Sequence, residues 1–164
     1  MNRRGFTIIE LVIVITILGI LLILAVVNLS GTQVNARDSE RKSDIEAIAL
    51  NIETFYTSGT DGSATTGRYP SLAIIGQEQT LLRDIDPKSL AAPGATSSSL
   101  IPALNNLQTT IDIDPQPSVS EYVYQPLQSD GSLCTTEAQE CRKFNLYYGL
   151  EGDETVYLVS SKNQ

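Results

Sequence analysis

From Phe6 to Leu29 nearly every position is apolar, and after Glu10 no charged side chain occurs until Arg37. A helix over that stretch rises about 36 Å at about 1.5 Å per residue, enough for a hydrocarbon core of about 30 Å. The pattern then changes. Asn35 to Asp44 is almost wholly polar, after which Ile45, Ile48, Ala49, Ile52, Phe55 and Tyr56 recur at the i, i+3, i+4, i+7 spacing of one helical stripe. Nothing breaks the helix until Ser58-Gly59-Thr60-Asp61-Gly62. The spacing therefore predicts one helix over 6–57, about 78 Å long. Its first half spans a membrane or lies in another apolar setting, and its second half packs on a sheet.

Downstream, 59–120 is rich in Gly, Ser, Thr and Pro and is expected to be irregular, with a helical turn or two over Gln77 to Ile85 and loop over Ala91 to Ser99. Three strands are predicted. Glu121 to Gln125 ends at Pro126. Lys143 to Leu150 alternates, with Phe144, Leu146, Tyr148 and Leu150 on one face. Thr155 to Ser160 sets Tyr157 and Val159 against Val156 and Leu158. Gly152-Asp153-Glu154 is a hairpin connection. An antiparallel sheet with one face on the Ile45–Tyr56 stripe satisfies both patterns, an α+β arrangement.

Charge narrows the possible roles. The formal net charge is −8, and without Arg3 and Arg4 the 11 basic side chains fall to 9 against 19 acidic, a formal −10. That balance argues against tight non-specific binding to DNA or anionic lipid, so no specific nucleic-acid partner is expected. The Arg37, Arg41, Lys42 cluster is expected to be a solvated helix face or a subunit contact. Within it, Asp38 makes compensating pairs with Arg41 and Lys42 worth a few tenths of a kcal/mol each. There is no histidine, which removes Ser-His-Asp and Cys-His catalysis and the commonest transition-metal ligand. With no phosphate-binding glycine loop, nucleophile elbow or zinc spacing, no enzyme and no cofactor are expected. Asp112, Asp114, Asp130, Glu151, Asp153 and Glu154 are the only calcium candidates, but their spacing matches no defined loop and solvated turn carboxylates are the default.

The N-terminal segment admits three explanations. A secretory signal peptide has a shorter apolar run and a small-residue cleavage site, and Val26-Val27-Asn28-Leu29-Ser30-Gly31 is a poor one. A plain signal anchor explains the length and the flanking Arg3 and Arg4, which place the N-terminus in the cytoplasm and the rest outside. It does not explain Glu10, a carboxylate one turn into an oily helix. Such a group costs a few kcal/mol unless it snorkels to the interface or finds a partner.

Gly5-Phe6-Thr7-Ile8-Ile9-Glu10, preceded by basic residues and followed by about 20 apolar ones, closely resembles the class III leader junction of type IV prepilins and pseudopilins. The resemblance continues through Ile17-Leu18-Gly19-Ile20-Leu21 and Asn28-Leu29-Ser30-Gly31. It implies cleavage between Gly5 and Phe6 by a membrane prepilin peptidase, then methylation of the new Phe6 amine. It also implies assembly into a filament in which Glu10 of one subunit pairs with the Phe6 ammonium of its neighbour, so that neither charge is left alone in a dry core. A separate cytoplasmic ATPase, other pilins and an inner-membrane assembly platform are the implied partners, with membrane lipid around the helix before assembly. Many family members carry a proline where this chain has Val27, and no proline precedes Pro70, so a more continuous helix is expected here.

Ala36-Arg37-Asp38 to Lys42-Ser43-Asp44, then Phe55-Tyr56 and Arg68-Tyr69-Pro70, are also similar to pilin sequence, and Leu150-Glu151 is similar to a strand ending in pseudopilins. The implied organisation is a cleaved leader at 1–5, a transmembrane and filament-core helix at 6–29, and an amphipathic continuation at 30–58. An irregular connecting region follows at 59–120 and an antiparallel sheet at 121–164. The head is then extracytoplasmic, on a single-pass membrane protein or in a surface or periplasm-spanning filament. Outside the cytoplasm a Cys134–Cys141 disulfide is the expected state, with a pair of free thiols as the alternative. Two other roles remain open: a pseudopilin of a secretion or competence system, and an anchored binding module that never polymerises.

Overall fold

The computed structural model describes residues 6–59, 66–82, 84–153 and 155–163. The chain divides into two units, Met1–Ala36 and Arg37–Gln164. Helix α1, Ile8–Ser58, runs through 51 residues. Thr7 caps it: the Glu10 amide donates to Thr7 Oγ1 at 3.3 Å, and the Thr7 hydroxyl lies 3.5 Å from Glu10 Oε2. Thr7-x-x-Glu10 thus has the spacing of a capping box. At the other end Gly59 takes φ 66° and its amide donates to the Phe55 carbonyl at 2.7 Å. This left-handed stop is one that glycine adopts without strain.

In the first unit every described side chain from Phe6 to Val26 is exposed. The helix is long and apolar enough to cross a membrane, with a mean hydropathy of 3.1 over its best 18-residue window and none of that window buried. A helix apolar on all sides needs lipid or other helices around it.

The second unit is an α+β head. It adds α2 (Glu78–Leu81), two short 3-10 turns, and four strands: β1 (Leu100–Pro102), β2 (Tyr122–Leu127), β3 (Lys143–Gly149) and β4 (Val156–Ser160). The sheet order is β1-β2-β3-β4. β2, β3 and β4 pair antiparallel, with Tyr124 opposite Leu146 and Leu146 opposite Val159. β1 pairs parallel to β2, with Ile101 opposite Val123. The three expected strands pair antiparallel as expected, and 59–120, expected to be irregular, supplies a fourth, parallel edge strand, so the whole sheet is mixed. Three residues ending in proline are too short to show an alternation.

β2 also runs two residues beyond its expected end. The Tyr122 amide and the Tyr124 carbonyl both point toward β1, bonding Ser99 and Ala103, and the Pro126 carbonyl on the same side accepts from the Cys134 amide. The N–H that Pro126 lacks would face that side past the end of β1, so the β2–β3 ladder loses nothing.

The helical stripe packs as its spacing requires. Ile45, Ile48 and Ile52 are fully buried, and with Phe55 they share one core with Tyr122, Tyr124, Phe144, Leu146, Tyr148 and Leu150. Tyr69 links the helix to the sheet, its ring centroid 4.6 Å from that of Tyr56 and 4.9 Å from that of Phe144, edge-on to the latter. The opposite sheet face is covered too, since Ala103 and Ile113 pack on Val123 and Tyr147. Both faces are dry at β2 and β3, while β4 stays partly exposed, Leu158 at 38%.

Candidate assembly and processing site

The residues singled out at the N-terminus lie on the exposed helix start. Phe6 is 78% exposed, while Gly5 and the arginines before it lie outside the described residues. Glu10 occupies the third position of α1, where the positive end of the helix dipole favours an anion. It accepts from Thr7, and among the described residues no cation pairs with it. This geometry lowers the penalty of a carboxylate in an apolar setting but does not neutralise it. Chemically, the helix start offers an acceptor for a cation within an otherwise oily surface.

The polar groups of the head serve a different purpose, most visibly around Asp38. Its two oxygens accept from the Glu151 and Gly152 amides, each at 2.9 Å, so the helix caps the β3–β4 turn. Arg41 adds a 2.8 Å bond to Asp38 and a 2.7 Å bond to the Val119 carbonyl. Arg37 grips Glu151 with two bonds of 2.8 and 2.6 Å. Burial alone would raise the Asp38 carboxyl, but the two amides and Arg41 outweigh it and hold the group below its ordinary value. The Arg37 bond holds Glu151 low as well. Arg41 is only 2% exposed, so its part of the basic cluster is a clamp inside the head, not the solvated face or subunit contact expected. The i, i+3 spacing of Asp38 and Arg41 signalled a pair; nothing in the sequence signalled the turn it caps.

Two further buried acceptors fasten the head. Glu53 receives the Tyr69 hydroxyl at 2.9 Å, the Lys162 amide at 2.6 Å and the Asn163 side chain at 2.9 Å, pinning the segment after β4 to α1. Gln125, wholly buried, donates to the Asn105 and Leu107 carbonyls, both at 3.0 Å, and accepts from Asn145 and Tyr147. Asp44 is the outlier. Burial pushes its carboxyl up to about 6, against the opposing 3.2 Å bond from Tyr122.

Cys134 and Cys141 are joined as a disulfide. Their carbonyls accept from the Leu72 and Tyr69 amides at 2.9 and 2.8 Å, which ties the loop to 69–72. The acidic calcium candidates do not converge. Asp112 takes the Thr109 hydroxyl at 2.7 Å, Asp130 takes Ser132, Asp153 takes Tyr157 at 2.5 Å, and Glu151 is held by Arg37. Glu154 lies outside the described residues. Among the described residues no three potential ligands are grouped to hold a metal ion.

Residues 1–26 match the family model of the prokaryotic N-terminal methylation motif. Over 56 residues the chain is 39% identical to the type IV major pilin protein PilA of Myxococcus xanthus (strain DK1622), a stretch covering 34% of this chain. The chain is thus similar to a type IV pilin over about a third of its length. The matched stretch covers 26% of that relative's length, so the likeness concerns a part of it. No solved structure matches the chain.

Proposed function

We propose that the chain is a structural subunit of a type IV pilus or a related filament, without enzymatic activity. Cleavage between Gly5 and Phe6 by a prepilin peptidase leaves the apolar helix in the membrane, and methylation follows on Phe6. Subunits then leave the lipid and pack by their N-terminal helices, Glu10 of one meeting the Phe6 ammonium of the next. The observation that carries this reading is a helix start with no buried side chain and a lone carboxylate at its third position. An entirely apolar anchor needs no such group. The Glu10–Phe6 pair sets axial register, because a slide of one residue would strand two charges in a dry core. A separate ATPase, an assembly platform and other pilins complete the machinery, and the head faces away from the cytoplasm.

Intact-mass analysis of the protein from its native host tests the processing route. The expected product lacks Met1 to Gly5 and carries one added methyl on Phe6. A full-length chain, or one cut elsewhere, overturns it.

A further inference from the structure

The apolar run begins at Phe6, yet α1 begins at Ile8. Thr7 is the reason. Its carbonyl accepts from the Leu11 amide at 3.2 Å, and its hydroxyl oxygen accepts from the Glu10 amide at 3.3 Å. In an uncapped helix the Glu10 amide would turn to the carbonyl four residues back, which belongs to Phe6. The hydroxyl therefore takes the donor that would otherwise wind the chain on by one residue.

The setting sharpens this competition. Phe6, Ile8, Ile9 and Leu11 are all exposed apolar side chains, and in lipid an amide must find an acceptor within its own segment. Deprived of the hydroxyl, the Glu10 amide would take the Phe6 carbonyl. A second step of the same winding pairs the Ile9 amide with the Gly5 carbonyl. That carbonyl belongs to the bond between Gly5 and Phe6. Once engaged in a helix ladder it can be attacked only after the turn has opened.

We propose that Thr7 is a positioning residue for processing: by starting α1 two residues after the Gly5–Phe6 bond, it keeps the Gly5 carbonyl out of the helix ladder and open to the peptidase. It acts through the backbone and touches no reacting atom. The inference rests on the processing reading above. The cap uses the amide of residue 10 and not its carboxylate, so it is separate from the Glu10–Phe6 pairing, and Glu10→Leu leaves it in place.

The test follows cleavage of the full-length chain in detergent by solubilised membranes of the native host, with N-terminal peptides quantified by mass spectrometry. Thr7→Val keeps the side-chain shape and removes the acceptor. It should be cleaved about fivefold less efficiently, the factor that one cap is worth. The loss should lie in a higher KM with kcat unchanged, because only the unwound fraction is competent. Thr7→Ser and Thr7→Asn restore an acceptor and should be cleaved as fast as the parent. In the uncleaved chains the Phe6 Cα chemical shift should move toward its helical value in Thr7→Val alone. Parental cleavage of Thr7→Val, or an unmoved Phe6 shift, overturns the proposal and leaves the processing reading standing. So does a slow Thr7→Asn beside a fast Thr7→Ser, which would mean that the hydroxyl itself is read. A parent chain left uncut under the same conditions overturns the processing reading, and the proposal with it.

Discussion

Replacing Asp38 by alanine removes the cap from the β3–β4 turn and leaves Arg41 buried without its best partner. Two amides, those of Glu151 and Gly152, lose acceptors at 2.9 Å. Arg41, 2% exposed, keeps the Val119 carbonyl and a longer 3.5 Å approach to Glu151. Unsatisfied buried donors cost about 1–3 kcal/mol each, and breaking one side of a buried pair costs about 3–5 kcal/mol. The turn amides regain water on a partly exposed surface and Arg41 keeps two contacts, so the low end applies, about 3 kcal/mol. For a head of this size that is a fall of about 10 °C in melting temperature. The assay is thermal and denaturant unfolding of the full chain in detergent, followed by near-ultraviolet tyrosine signals. Arg41→Met added to Asp38→Ala should restore more than 1 kcal/mol, because the stranded charge is gone. A single variant that loses less than 1 kcal/mol, or a double variant whose losses simply add, would refute the clamp.

Three other expectations follow from the head. Asp44 has a folded value raised to about 6 above an unfolded 3.8, so the native state binds more protons between these values and this group's contribution falls as pH rises through that window. Asp44→Asn should therefore gain stability relative to the parent from pH 4 to pH 7; a difference independent of pH contradicts the burial argument. Asp38 and Glu151 act in the opposite sense, their stabilisation being lost as pH falls through their lowered values. Gln125→Leu strips the partners from Asn105, Leu107, Asn145 and Tyr147 and should cost about 2–4 kcal/mol. Hydrogen exchange should accelerate first in 104–116, and unchanged protection there would count against the bracing role. Reducing the Cys134–Cys141 bond, which joins residues 7 apart, should cost about 2–3 kcal/mol and loosen 69–72, read as faster proteolysis near Tyr69.

The long-range architecture was legible where periodicity was long. The Ile45–Tyr56 stripe and the Phe144–Leu150 alternation each name a buried face, and those faces meet. Elements without a period stayed hidden. β1 is three residues long, and the cover over Val123 and Tyr147 is irregular chain that no alternation marks. The pairing of Asp38 with Arg41 was legible in its spacing, but the turn that Asp38 caps lies 113 residues away and the Asn105 carbonyl that Gln125 holds lies 20 away, and only folding brings these together. At the N-terminus the motif itself carried the reading, since Glu10 is conspicuous by its setting alone. The capping bond from Thr7 supplies a local reason for the acid's position, and the filament account must add to it.

The central claim is that Glu10 is present for a neighbouring subunit. The most direct measurement is the filament yield of Glu10→Leu, by shearing, sedimentation and electron microscopy, in cells where its membrane level and N-terminal processing equal those of the parent chain. The account predicts normal insertion, cleavage at Phe6 and almost no filaments. Filaments in parental amount and length from the neutral variant would contradict it.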